Sequence, residues 1–269
     1  MNRVPPDFEE IASNYKSLYF IHIPKTAGSY VFEIAFKHEI KKISKYDAKT
    51  PYMKGKRFFN GGHCVCTSKL LQIDEHNRAW TFSLRRNKAF KQSCVFCLIR
   101  NPFDLLVSFY TYGFPYRKPR PSKPKPWLDK IGWPFVSFED FVKKFCDPEF
   151  SWLIPFQKKF LFFQIFDDEG KCVPHFLVRQ EYLDEGLKII SKPFGITPIK
   201  KNIRIKDSRD NSTRDYKQFY DENLRKIAEN KLKRELDAFG YSFDGDDGRI
   251  ILKGDHVHYN PHTDEFKIT

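Results

Sequence analysis

The sequence predicts an α/β fold with a central parallel sheet flanked by helices. Three observations carry this expectation. Leu18 to Ile23 is a short run of aromatic and branched residues that stops at Pro24. Ser93 to Ile99 is a continuous apolar run, as in a strand buried on both faces. Each run enters a turn and then a helical pattern, at Val31 to Ala35 and at Phe103 to Tyr112. In a parallel sheet both turns lie at the carboxyl ends of strands, where α/β folds bind ligands.

The first turn is Pro24-Lys25-Thr26-Ala27-Gly28-Ser29. Proline ends the strand because it has no N–H for a ladder. Gly28 permits a backbone conformation or a close approach that a side chain would block. Thr26 or Ser29 can cap the helix that follows. A strand, a small-residue turn and a helix start together make an anion site, and Lys25 adds a full charge. The same residues also suit an ordinary connection with an exposed lysine.

The remaining elements follow in order. Residues 37–57 are a basic run, most simply a solvated face. Phe58 to Cys66, with Gly61-Gly62-His63, reads as a strand end that approaches something closely. One short helix is expected within 68–90. Residues 115–134 interleave prolines with lysines and arginines, and predict an extended lid or a solvated insert. Phe138 to Phe145 and Trp152 to Phe163 predict helices, Phe176 to Val178 a strand, and Leu183 to Ser191 a helix. A long helix is expected from Tyr216 to Leu236, with Ser212 and Asp215 as a capping pair and Gly240 as its stop. The glycine-rich end predicts a small hairpin. The expected organisation is one domain over 1–243, with 244–269 as an extension packed on it.

The 269 residues are enough for a sizeable core. Lys+Arg 47 against Asp+Glu 34 gives +13, which favours anionic partners without choosing among them. No run of about 18 apolar residues is present, so no membrane span is expected. Six cysteines are too few for a disulfide scaffold in a chain of this length. A polar start and sparse cysteines lead us to expect a cytoplasmic protein, the alternative being the lumenal catalytic part of a longer one.

Pro24-Lys25-Thr26-Ala27-Gly28-Ser29 resembles the 5′-phosphosulfate loop of sulfotransferases that use 3′-phosphoadenosine 5′-phosphosulfate (PAPS), closest to the branch with the glycan 2-O-sulfotransferases. Arg100-Asn101-Pro102-Phe103-Asp104, with Ser108 beyond it, resembles that family's 3′-phosphate motif. Tyr216, Tyr220 and Phe239-Gly240-Tyr241 resemble its C-terminal helix and ending. The resemblance implies a P-loop-like three-layer fold and sulfuryl transfer from PAPS to a hydroxyl or amine, with PAP released and no metal needed. It implies that Lys25 and the loop Thr26, Ala27, Gly28, Ser29 and Tyr30 hold the 5′ end. Arg100 and Ser108 would hold the 3′-phosphate. His63 stands where that branch has a histidine pair, and is the expected base, with Glu33 as the fallback. Two departures matter. Leu105 replaces a second arginine, which weakens the 3′ contacts or moves them to Arg209 or Arg214. Tyr30 replaces a small hydroxyl residue.

Other chemistries fit less well. A Walker loop needs lysine after its second glycine, whereas Lys25 precedes Gly28. Cys94 and Cys97 lie within a strand and face opposite sides, which argues against a shared zinc. A basic nucleic-acid-binding module fits the charge but lacks a signature. The expected acceptor is a small molecule or a carbohydrate, and the basic stretches suit an anionic one.

Overall fold

The computed structural model describes residues 2–23, 25–31, 65–67, 71–75, 91–112, 135–147, 162, 165–166, 169–199, 215–260 and 265–268. His63, Arg209, Arg214, the basic run 37–57, the segment 115–134 and the helix expected at Trp152 to Phe163 fall outside them, apart from Phe162. The chain divides into two compact units. One comprises Met1–Ile99, Gln164–Ile205 and Gly248–Thr269; the other comprises Arg100–Phe163 and Lys206–Asp247.

The first unit holds α1 (Phe8–Ser13), β1 (Ser17–His22), the short turn α2 (Gly28–Tyr30), β2 (Val65–Thr67), β3 (Leu71–Glu75) and β4 (Ser93–Ile99). Its sheet runs β2-β3-β1-β4, then β5 (Phe176–Arg179) and β8 (Ile251–Lys253). The fold is thus α/β, but the sheet is mixed rather than parallel throughout. Strands β3, β1, β4 and β5 are parallel, whereas the edges β2 and β8 are antiparallel to their neighbours. Residues 68–70 alone separate β2 from β3. So short a link permits only an antiparallel pair, because a parallel return needs a crossover of a dozen or more residues.

Strand β3 occupies part of the segment 68–90, and residues 76–90, where the expected short helix could fall, lie outside the described residues. Leu71-Gln72-Ile73-Asp74-Glu75 is short and half polar, and its place is decided by pairing with β1 from Leu18↔Leu71 to His22↔Glu75. Strand propensity of that kind depends on context more than on composition.

Both faces of the sheet are buried at β1, β4 and β5, which explains the unbroken apolar run of β4. On one face Leu18, Phe20, Cys94, Phe96, Leu98, Phe176 and Val178 join Phe8 and Ala12 of α1. Leu187 and Ile190 of α5 (Leu183–Ser191) complete that layer. The Phe20 and Phe96 rings lie 5.0 Å apart, and Phe8 meets Phe176 at 4.8 Å. Each such phenyl contributes about 1.5–3 kcal/mol by leaving water. On the other face Tyr19, Ile21, Val95, Cys97, Ile99 and Leu177 are equally buried. At the amino end of β5, His175 ties three segments together. Its Nδ1 accepts the Val95 N–H at 2.8 Å, its Nε2 meets Tyr15 Oη at 2.6 Å, and its carbonyl accepts the Gly254 N–H at 2.9 Å.

The glycine-rich tail does more than form a hairpin. Strands β9 (Val257–Asn260) and β10 (Glu265–Ile268) pair as one, but β8 joins the main sheet.

The second unit holds α3 (Pro102–Tyr112), α4 (Phe138–Cys146), α6 (Glu222–Phe239) and the small pair β6 (Tyr241–Ser242) and β7 (Gly245–Asp246). Helix α4 begins at Ser137, whose Oγ accepts the Asp140 N–H. The last long helix starts at Glu222, six residues later than expected. Tyr216–Phe219 form a separate 3₁₀ turn capped by Asp215, and Asp221 caps α6 by accepting the Leu224 N–H at 2.7 Å. Extended Tyr220 separates the two, because its hydroxyl is held by the Phe103 carbonyl at 3.0 Å. Gly240 ends α6 in the left-handed conformation, as its position predicts. Phe103, Tyr216, Tyr220 and Phe243 form an edge-to-face aromatic cluster at 5.0–5.9 Å. Among the described residues no helix is long and apolar enough to cross a membrane.

Candidate functional site

Strands β1 and β4 are parallel neighbours, in register from Ser17↔Ser93 to Ile21↔Cys97. They therefore end at the same edge of the sheet. The Pro24 loop continues β1, and Arg100 continues β4.

In the loop, the left-handed backbone falls on Lys25 (φ 68°) and Ala27 (φ 68°), neither of them glycine. Gly28 is buried and already belongs to the helical turn. The expected caps also move. Ala27 occupies the cap position, and no side chain caps the turn. Thr26 is fully buried, and its Oγ1 donates back to the Ile23 carbonyl at 2.9 Å. It closes the turn from inside. Lys25 is half-buried. The Tyr30 hydroxyl donates to Asp184 Oδ1 at 2.6 Å, and Val31 is buried in the core. Gly28 and Ser29 contribute the first N–H groups of this turn, which have no partner within a helix.

The second motif lies in the other unit. Arg100 is 5 % exposed. Its Nη2 and Nε both lie on Asp104 Oδ2, at 2.6 and 2.8 Å. Ser108 is buried on α3, one turn beyond Asp104 on the same face. Asn101 builds the corner. Its Oδ1 accepts the Phe103 N–H at 3.0 Å, and its Nδ2 donates to the Ser242 carbonyl at 2.9 Å. Tyr216 adds a bond from its hydroxyl to the Phe243 carbonyl at 2.6 Å. Arg100 is thus paired with Asp104 at the start of α3, and Ser108 lies one turn further along that helix.

Three residues around these groups have no role assigned from sequence: Asn101 and Asp104 lie within the Arg100 motif, and Asp184 lies outside it. Asn101 before Pro102 carries a readable signal, since asparagine caps helices and proline favours their first position. Asp104 is also readable, four residues after Arg100 on a helix. Asp184 has no local signal, because 154 residues separate it from Tyr30.

Burial pushes the Cys94 thiol up to about 12 and raises Cys97 well above its usual value, so both stay protonated. Among the described residues no three His, Cys, Asp or Glu side chains group as metal ligands. Compared with known proteins, the chain matches no family model, and no curated protein matches it at a significant level.

Proposed function

We propose that this chain is a sulfotransferase that moves a sulfuryl group from PAPS to a hydroxyl or amine and releases PAP. The observation that supports the reading most is the loop after β1. It combines a lysine with two left-handed non-glycine residues at the carboxyl end of a central parallel strand. Strain of this kind is typical of ligand clamps. A P-loop-like three-layer fold goes with the reading.

The donor, when bound, supplies an activated sulfuryl group on its 5′-phosphate. Lys25 and the backbone N–H groups of Gly28 and Ser29 hold that phosphate and stabilise charge on the leaving oxygen. Thr26 and Ala27 shape the turn. Arg100 offers a guanidinium already oriented by Asp104, and Ser108 adds a hydroxyl; both serve the 3′-phosphate. Arg209 and Arg214 supplement them. His63 takes the acceptor proton as the acceptor oxygen or nitrogen bonds to sulfur and the bond to the phosphate oxygen breaks. The acceptor is a small molecule or a carbohydrate, and the +13 charge suits an anionic one.

Calorimetry with PAP and with ATP–magnesium tests the donor assignment. PAP is expected to bind at least about tenfold more tightly, a difference of about 1.4 kcal/mol. Stronger ATP binding, or salt-sensitive RNA binding without PAP binding, would overturn it. A screen of acceptors with labelled PAPS identifies the acceptor, and His63→Ala should then slow turnover by about 10²–10⁴-fold.

A further inference from the structure

We propose that Tyr30 is a positioning residue of the anion loop, acting through Asp184. The inference rests on reading the loop as the 5′-phosphate site. Lys25 and Ala27 both hold φ 68° without being glycine. Such conformations persist only where the surroundings over-determine them. Three contacts do so here. Thr26 Oγ1 closes the turn onto Ile23 O at 2.9 Å. Val31, fully buried, anchors the exit in the core. The third is the Tyr30 hydroxyl on Asp184 Oδ1 at 2.6 Å.

The third contact differs in kind. The first two belong to the loop and the chain beside it. The Tyr30 bond fastens the loop exit to a separate helix, at the first turn of α5. That helix is itself tightly docked: a Cβ on Gly186 would lie 2.3 Å from Val178 Cγ1. Asp184 is therefore carried by a rigid support. A short O–H···O⁻ bond is charge-assisted and restrictive in geometry. The helical turn that carries Tyr30 also carries the Gly28 and Ser29 N–H groups, so rotation about its axis would re-aim both donors. A small hydroxyl at position 30 could reach only a ligand beside it. A phenol there reaches past the loop to the scaffold.

The test is calorimetric titration of PAP and of adenosine 3′-monophosphate, which lacks the 5′-phosphate, with a thermal melt of each protein. The proteins are wild type, Tyr30→Phe, Asp184→Ala, Asp184→Asn and the Tyr30→Phe/Asp184→Ala double variant. Tyr30→Phe and Asp184→Ala are each expected to weaken PAP binding by about 5–20-fold, the size of one hydrogen bond at an exposed site. The double variant should be no worse than either single one. Asp184→Asn keeps an oxygen acceptor and should recover most of the affinity. Binding of the 3′-monophosphate should not change. Equal losses for both ligands, or wild-type PAP affinity in Tyr30→Phe, would overturn the positioning role. Failure of wild type to bind PAP would instead overturn the reading on which the role rests.

Discussion

The Arg100 guanidinium closes on Asp104, with Nη2 at 2.6 Å and Nε at 2.8 Å from the same Oδ2 oxygen. The two side chains are only 6 % and 17 % exposed. Removing one partner of a buried pair leaves the other's charge less well compensated. Asp104→Ala is expected to cost about 2–4 kcal/mol in urea unfolding. Arg100→Met should cost less, because the remaining carboxylate is nearer to water. A stability for Asp104→Ala within about 0.5 kcal/mol of wild type would show that the pair does not hold this corner.

Ala27 carries the cost of a left-handed backbone, so the usual rule for alanine and glycine should reverse there. Ala27→Gly is expected to be neutral or stabilising, by up to about 1 kcal/mol, and Ala27→Val should lose about 1–2 kcal/mol more than alanine. Chemical denaturation of the three proteins checks the order. A destabilised glycine variant would mean that the turn is not left-handed at this position.

Gly254 faces a different constraint. Its backbone N–H donates to the His175 carbonyl at 2.9 Å, and a Cβ there would lie 1.8 Å from the Pro174 carbonyl oxygen. Backbone cannot yield as a side chain can. Gly254→Ala should lose about 3 kcal/mol or more, beyond ordinary overpacking. Gly195, also left-handed (φ 66°) but with open space around its Cβ position, is the control. Gly195→Ala should lose only about 1 kcal/mol.

His175 makes stability depend on pH. Burial is the largest influence and lowers its pKa below the ordinary 6.5; Lys171 acts in the same direction, while the Val95 backbone and Asp255 oppose it without reversing it. The unfolded chain therefore binds the proton at a higher pH than the folded one does. The contribution of His175 is complete above about pH 6.5 and is lost as pH falls toward the folded pKa, at up to about 1.4 kcal/mol per pH unit. Melting temperature between pH 7.5 and 5 should fall more steeply for wild type than for His175→Asn. Parallel profiles would remove His175 as the source.

The division between what is readable from sequence and what is not follows the range of the interactions. Helices α3, α4 and α5 and strands β1, β4 and β5 are marked by periodicity, and Gly240 by its place after a helix. Strand β3 is too short and too polar to announce itself. Its identity comes from the β1 backbone beside it. The start of α6 is similar, since Tyr216 and Tyr220 continue a helical pattern but are pulled into a turn by bonds to Phe243 and Phe103.

The residues alone carry the order strand, Lys25 loop, strand, Arg100 turn and helix. Those are local patterns, written within a few residues. Only the tertiary structure decided that the left-handed backbone falls on Lys25 and Ala27, that Thr26 turns inward, and that Tyr30 reaches Asp184. Each of these depends on how the chain closes over the sheet and on partners that arrive from another element. Neither closure nor a partner 154 residues away leaves a mark in the residues of the loop.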